Sequence, residues 1–173
     1  MTGPLENNTR FERKLFQLMR SSGSALDIGA GIRPFDRFTY NPHICVEPHG
    51  EYVKVLQDKG FIVIQETALV ALSMVGQFDI VLLLDVIEHM EKEEGLLVIE
   101  QAKNIGKQVV VFTPLGFMAQ DCSKDRQDAW GYQGQDWQTH RSGWVPEDFP
   151  GWDILIGPKY HETHDAFAAV YNR

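Results

Sequence analysis

Cysteine is scarce in this chain: Cys45 and Cys122 are the only two in 173 residues. Two cysteines provide no disulfide framework, and Cys45, set in an apolar run, reads as a small buried hydrophobe. Basic residues are in deficit, 16 against 24 acidic ones, for a formal charge of −8. A broad nucleic-acid footprint needs a basic face, so nucleic acid is not an expected partner. No apolar run approaches the roughly 18 residues of a membrane span, and no signal pattern opens the chain. The expectation is a cytoplasmic protein without a membrane partner. Repeats and linkers are missing too, so residues 1–173 are expected to form a single domain, a length that suits a sizeable core. Nothing in the sequence sets an oligomeric state.

What the chain does have is concentrated in Ser24–Pro34. Ala25-Leu-Asp-Ile28 reads as a buried parallel strand, Gly29-Ala-Gly31 as a turn, and Pro34 as the opening of a helix. A strand followed by Gly-x-Gly and a helix start lets backbone N–H groups approach a nucleotide-like ligand closely. Glu47 stands 20 residues after Asp27, at the end of the next apolar run, His43-Ile-Cys-Val46. From that position a carboxylate holds ribose hydroxyls, which points to an adenosine-type cofactor.

The rest of the chain alternates. Glu6–Arg20 is predicted as an amphipathic helix, with residues 1 to 5 frayed. A short helical piece is predicted around Phe35–Tyr40, closed by Asn41-Pro42. Strands follow at Ile44–Glu47, Phe61–Ile64, Phe78–Leu84 and Lys107–Phe112, with helices at Glu51–Asp58, Thr67–Met74 and about Lys92–Lys103 between them. Phe78–Leu84 is apolar on both faces, as at the centre of a covered parallel sheet. Residues 115–145 have no clean period, and a loop of that length in a small domain is functional or disordered. Its aromatics Phe117, Trp130, Tyr132 and Trp137 argue against plain disorder. Val145-Pro146 is a second helix-start signal. Two last strands, Trp152–Ile156 and Asp165–Tyr171, are joined by Gly157–His164, too short for a crossover, so they should pair antiparallel.

This order resembles the class I S-adenosylmethionine-dependent methyltransferases over the whole chain. The motifs that carry the resemblance are Leu26-Asp-Ile-Gly-Ala-Gly31, Val46-Glu-Pro48, Phe78-Asp-Ile-Val81, Leu84-Asp-Val-Ile-Glu-His-Met90 and Val111-Phe-Thr-Pro114. The segment after the fourth strand looks like the small-molecule branch. The fold implied is a Rossmann-like α/β sheet of seven strands, mostly parallel, with a C-terminal antiparallel β-hairpin and helices on both faces. A nicotinamide-dependent oxidoreductase is disfavoured, because Pro34 stands where Gly-x-Gly-x-x-Gly has its third glycine and the chain end turns back on itself. Arg33 departs from the family's Gly-x-Gly-x-Gly loop. It is either a holder of the cofactor's methionine carboxylate or a solvated arginine.

The resemblance implies S-adenosylmethionine as cofactor, S-adenosylhomocysteine as product and a small-molecule methyl acceptor. It places Asp27, Gly29, Gly31, Glu47 and Pro48 on the cofactor, with Glu66, in preference to Gln65, and Thr67 beside the adenine and Asp85 and Val86 beside the methionine amino group. His140, the loop's only histidine, is the candidate general base, with His89 next to it in interest and Glu88 as a brace. Each histidine could instead serve only to anchor the structure. Trp144 and Phe149 read as core under the loop. His161 and His164 have metal-like spacing, but a turn without a cysteine partner makes a poor site, and no metal is expected. The acceptor atom stays open among oxygen, nitrogen, carbon and sulfur. The competing reading is a catalytically silent binding module of the same fold.

Overall fold

The computed structural model describes residues 4–122, 126–161 and 163–173, with backbone alone for residues 4–9. Seven strands, β1 (Ala25–Ile28), β2 (His43–Val46), β3 (Ile62–Ile64), β4 (Phe78–Leu84), β5 (Gly106–Pro114), β6 (Asp153–His161) and β7 (His164–Asn172), form one sheet. Their order is β3-β2-β1-β4-β5-β7-β6. The first five are mutually parallel, whereas β7 runs antiparallel to β5 and to β6. The order reverses between β1 and β4, and ligands bind at the carboxyl ends of strands beside such a reversal.

The central strands bury both faces, so their side chains sort into two cores by alternation. Val81, Leu83, Val109, Val111, Phe167 and Ala169 face α3 (Ala68–Met74) and α4 (Lys92–Ile105). Ile80, Leu82, Val110, Phe112, Ala168 and Val170 face α1 (Pro4–Leu18), which contributes Phe11 and Leu15. On the side of α2 (Gly50–Asp58), Leu56 packs with Ala30 and Cys45. Trp144 and Phe149 are core, as expected, at 0% and 2% exposure. Among the described residues no helix is long and apolar enough to cross a membrane.

Four sequence expectations need correction. The first helix starts at Pro4 and ends at Leu18, earlier at both ends than read from the sequence; of the residues expected to fray, 1–3 lie outside the described ones. Pro34 opens no helix, and Phe35–Tyr40 is irregular. Asp27 Oδ2 accepts the Phe35 N–H at 2.8 Å, a donor that a helix would leave free at its first turn. Phe35, Phe38 and Tyr40 pack on one another, with Phe16 of α1 against Phe35 and Phe38. Val145-Pro146 starts only a single 3-10 turn, Pro146–Asp148. The closing strands are also longer than read: β6 continues through Gly157-Pro158 to His161, which pairs with His164. Proline is tolerated there because β6 is the sheet edge.

Candidate functional site

Backbone bonds from the first turn set the floor of the site. Gly29 and Ala30 donate to the Val46 carbonyl at 2.8 and 3.3 Å, tying the end of β1 to the end of β2. Gly29 and Gly31 sit at φ +66° and +56°, conformations that favour glycine. Each also lets its own chain come close: an added Cβ would stand 2.7 Å from Val86 Cγ2 at Gly29 and 2.6 Å from the Trp130 ring at Gly31.

Glu47 follows directly on β2 and is 4% exposed. Its Oε2 accepts the Gly31 N–H at 2.9 Å and its Oε1 the His49 N–H at 2.8 Å. Burial raises its pKa, against the opposing pull of those two N–H groups and of His49. A carboxylate has about four acceptor positions, so each oxygen keeps one for a further donor.

A cavity of about 310 Å³ opens over these residues, lined by Gly29, Gly31, Glu47 and Pro48 and by Asp85, Val86 and His89. Thr67 and Ala68 line its wall. Glu66, expected there, is exposed and does not line the cavity; Ala68, the first residue of α3, is the one that turns inward. A second cavity of about 730 Å³ lies under α1 and is lined by Asp27, Arg33, Phe112 and Tyr160 among others. Gly29 and Asp85 line both cavities, which therefore meet at the tips of β1 and β4. Asp27 is 3% exposed, and its Oδ2 also lies 3.3 Å from His43 Nε2, so it braces the turn from beneath.

The end of β4 carries the acid–base groups. Asp85 adopts φ +53°, and its N–H donates to the Phe112 carbonyl at 2.9 Å. A 3-10 turn, Ile87–His89, follows. Glu88 is 2% exposed, and the Thr113 hydroxyl donates to its Oε2 at 2.9 Å. The Asp85 side chain is about half exposed, and its carboxyl shares a hydrogen bond with Glu88. Burial and the neighbouring Asp85 charge raise Glu88 well above the usual range.

His140 lines neither cavity; it stands behind His89, ring centroids 4.8 Å apart and planes at 70°. His89 Nδ1 lies 3.3 Å from the Thr139 carbonyl and His140 Nδ1 2.7 Å from the Met118 carbonyl. A carbonyl only accepts, so in both rings Nδ1 carries the proton and Nε2 the lone pair. Burial, then His140 and Arg141, lower the His89 pKa to about 4. Burial also lowers His140, so both rings are neutral near pH 7. His164 is turned elsewhere, Nε2 donating to the Leu115 carbonyl at 2.8 Å.

Asp128 organises the roof, and the sequence reading missed it. Its carboxylate accepts the N–H groups of Trp130, Tyr132 and Gly134 at 2.8, 3.0 and 2.9 Å, and the hydroxyl of Tyr52 from α2. Trp130 thereby packs on Tyr52, centroids 5.1 Å apart, and covers Gly31. The signal was local: an aspartate two residues before the N–H it accepts, with a glycine next, is an Asx-turn pattern. A single helical turn, α5 (Gln135–Gln138), follows; Gln138 lines the first cavity and its Nε2 donates to Tyr52.

No family model and no curated protein matches the sequence. Solved structures do match, at low identity. An S-adenosylmethionine-dependent methyltransferase from Archaeoglobus fulgidus is 15% identical, with a TM-score of 0.64 over 99% of this chain and 95% of that one. The magnesium protoporphyrin IX methyltransferase of Synechocystis, crystallised with bound S-adenosylmethionine, is 12% identical, with a TM-score of 0.59 over 99% of this chain and 79% of that one. The N-methyltransferase NodS of Bradyrhizobium japonicum is 14% identical, with a TM-score of 0.59 over 95% and 93%. The chain has the Rossmann-like fold of the S-adenosylmethionine-dependent methyltransferases.

Proposed function

We propose that this protein binds S-adenosylmethionine across the carboxyl ends of β1 and β4 and methylates a small molecule, releasing S-adenosylhomocysteine. The observation that carries this reading is the pairing of a buried Glu47, with acceptor positions to spare, and a cavity that runs from it to Asp85. Glu47 takes the ribose hydroxyls, Pro48, Thr67 and Ala68 flank the adenine, and Asp85 and Val86 flank the methionine amino group. Arg33, which lines the second cavity with Arg37 and Lys59, is the cation we assign to the methionine carboxylate. When bound, the cofactor supplies a methyl on a sulfonium, a good leaving group, so transfer is an in-line displacement in which alignment is the protein's main task. His89, which lines the cavity with a neutral imidazole, is the ring in reach of an acceptor's proton, and His140 stands behind it. The roof of Trp130 and the loop excludes water from the cleft.

Calorimetric titration tests the reading directly. S-adenosylmethionine and S-adenosylhomocysteine should bind with one site each and NAD should not. A screen of phenols, carboxylates, amines and thiols should then yield a methylated product. Cofactor binding without transfer to any acceptor would leave the silent module of the same fold. NAD binding in place of S-adenosylmethionine would overturn the proposal.

A further inference from the structure

We propose that Glu88, His89 and His140 form a binding site for one divalent transition-metal ion beside the place of methyl transfer. Their ligand atoms all lie within 4.8 Å of one another. A metal with bonds of about 2.0–2.2 Å needs its donors only a little closer than that. The three come from two separate parts of the chain: the 3-10 turn after β4 supplies two consecutive residues, and the loop supplies the third.

The support around them is that of a metal site. Each imidazole gives its Nδ1 proton to a backbone carbonyl, fixing the tautomer and leaving Nε2 to bind. Glu88 is oriented by the Thr113 hydroxyl. The Arg141 and Ser142 N–H groups donate to the Glu88 carbonyl oxygen at 2.7 and 3.1 Å, which locks the end of the loop to the turn and brings His140 to its partners. A bound cation would offset the burial of the Glu88 carboxylate, 2% exposed. Asp85 and Glu88 lie side by side, and among the described residues neither forms an ion pair with a lysine or arginine. His161 Nε2 stands 4.0 Å from Asp85 Oδ1, and among the described residues that nitrogen is buried without a hydrogen-bond partner. Two imidazoles and one carboxylate favour zinc, manganese, iron or cobalt over magnesium or calcium, which take all-oxygen sets.

The ion would face the cofactor cavity, because His89 and Asp85 line it. This inference rests on the methyltransferase reading for its purpose and narrows the acceptor. A hydroxyl oxygen held on a divalent ion loses its proton to water near neutral pH. The acceptor class that fits is therefore an alcohol or phenol, and the product a methyl ether.

The test uses tag-free protein, stripped with chelator and titrated calorimetrically with zinc and with manganese, no cofactor present. One equivalent of at least one of the two should bind. Cobalt(II) should give a visible absorption band from nitrogen ligation. His140→Gln, His89→Gln and Glu88→Gln should each weaken binding about tenfold or more and change that band. His161→Gln, outside the ligand set, should retain it. Far-UV circular dichroism on every variant confirms folding, and the milder His140→Asn stands in for any variant that fails to fold. No binding of either ion, or binding unmoved by these ligand variants, overturns the site. Cofactor titration of the metal-free protein is a separate measurement, so failure of the metal site and failure of the methyltransferase reading are told apart.

Discussion

The outer edge of the Trp130 ring stands against Gly31: a Cβ added to that glycine would stand 2.6 Å from Cη2 of the indole. The glycine thus answers to two demands, a φ of +56° and the close approach of the roof. Gly31→Val puts a β-branched side chain into both. Cofactor binding should vanish while the far-UV spectrum holds. Retained binding with a lower melting temperature alone would reduce Gly31 to a structural role.

Glu47 gives the second prediction. Glu47→Ala should weaken S-adenosylmethionine binding by roughly 1.5–3 kcal/mol, the range for hydrogen bonds to a charged group, or about 10- to 150-fold. The acid limb of binding follows from the direction of its shift. Burial raises the pKa in the folded protein, so the stability linked to this group is fully present below the unfolded value and lost as pH rises through the folded one. The ionised form is the one that accepts from ribose, so affinity should fall on acidification at a higher pH than an ordinary glutamate near 4.3 would set. Wild-type affinity in the alanine variant would remove Glu47 from the site.

Trp144 and Gly95 make a test of packing away from the chemistry. Trp144 is fully buried, its Nε1 donating to Ser142 Oγ at 2.9 Å, and Lys92 Nζ stands 3.8 Å from its ring centroid. An added Cβ at Gly95 of α4 would lie 2.5 Å from Trp144 Cζ2. Alanine gains about 1 kcal/mol of helix propensity over glycine, but overpacking costs about 1–3 kcal/mol. Gly95→Ala should therefore be neutral to clearly destabilising in chemical denaturation. A stabilised variant would mean that Trp144 has room to move.

The parts of the fold legible in sequence were those fixed by local pattern. β1 and β4 were readable to the residue because each is a short, mostly apolar run buried between layers, and the end of β2 because its apolar run stops at Val46. The segment after Pro34 was misread because proline signals a helix start equally well before an irregular turn, and Asp27 decides between them through a hydrogen bond to Phe35. β6 was cut short at Ile156 because Gly157-Pro158 breaks the alternation, which an edge strand with a register shift tolerates. The roof was opaque for a different reason. It has no period, since its order comes from one carboxylate gathering backbone N–H groups and from Tyr52, 76 residues away in the chain. The cluster of Glu88, His89 and His140 likewise exists only once the loop folds back.

That roof carries the last prediction. Asp128 holds three backbone N–H groups and the Tyr52 hydroxyl, and Gly134 and Trp130 take their places through it. Burial pulls its pKa up, but the bonds from Tyr52, Tyr132, Trp130 and Gly134 outweigh that and hold the carboxyl below the usual aspartate range. A group whose pKa is depressed on folding gives stability that is present above its unfolded value and is lost as pH falls through the folded one. The roof should therefore be closed at neutral pH and loosen only in strong acid. Asp128→Ala should open it at neutral pH. Trypsin at Arg126, within the loop, reads the opening: cleavage should accelerate about tenfold or more, the consequence of losing charge-assisted hydrogen bonds of roughly 1.5–3 kcal/mol. Tryptophan emission should shift to the red as Trp130 leaves Gly31. On acidification the emission of wild type should converge on that of the variant, which itself should hardly change. Cofactor should dissociate faster from the variant while Glu47 still binds it, so the off-rate rises more than the on-rate falls. Equal cleavage rates at neutral pH in the two proteins would show that the loop is held by its other contacts and that Asp128 is not the latch.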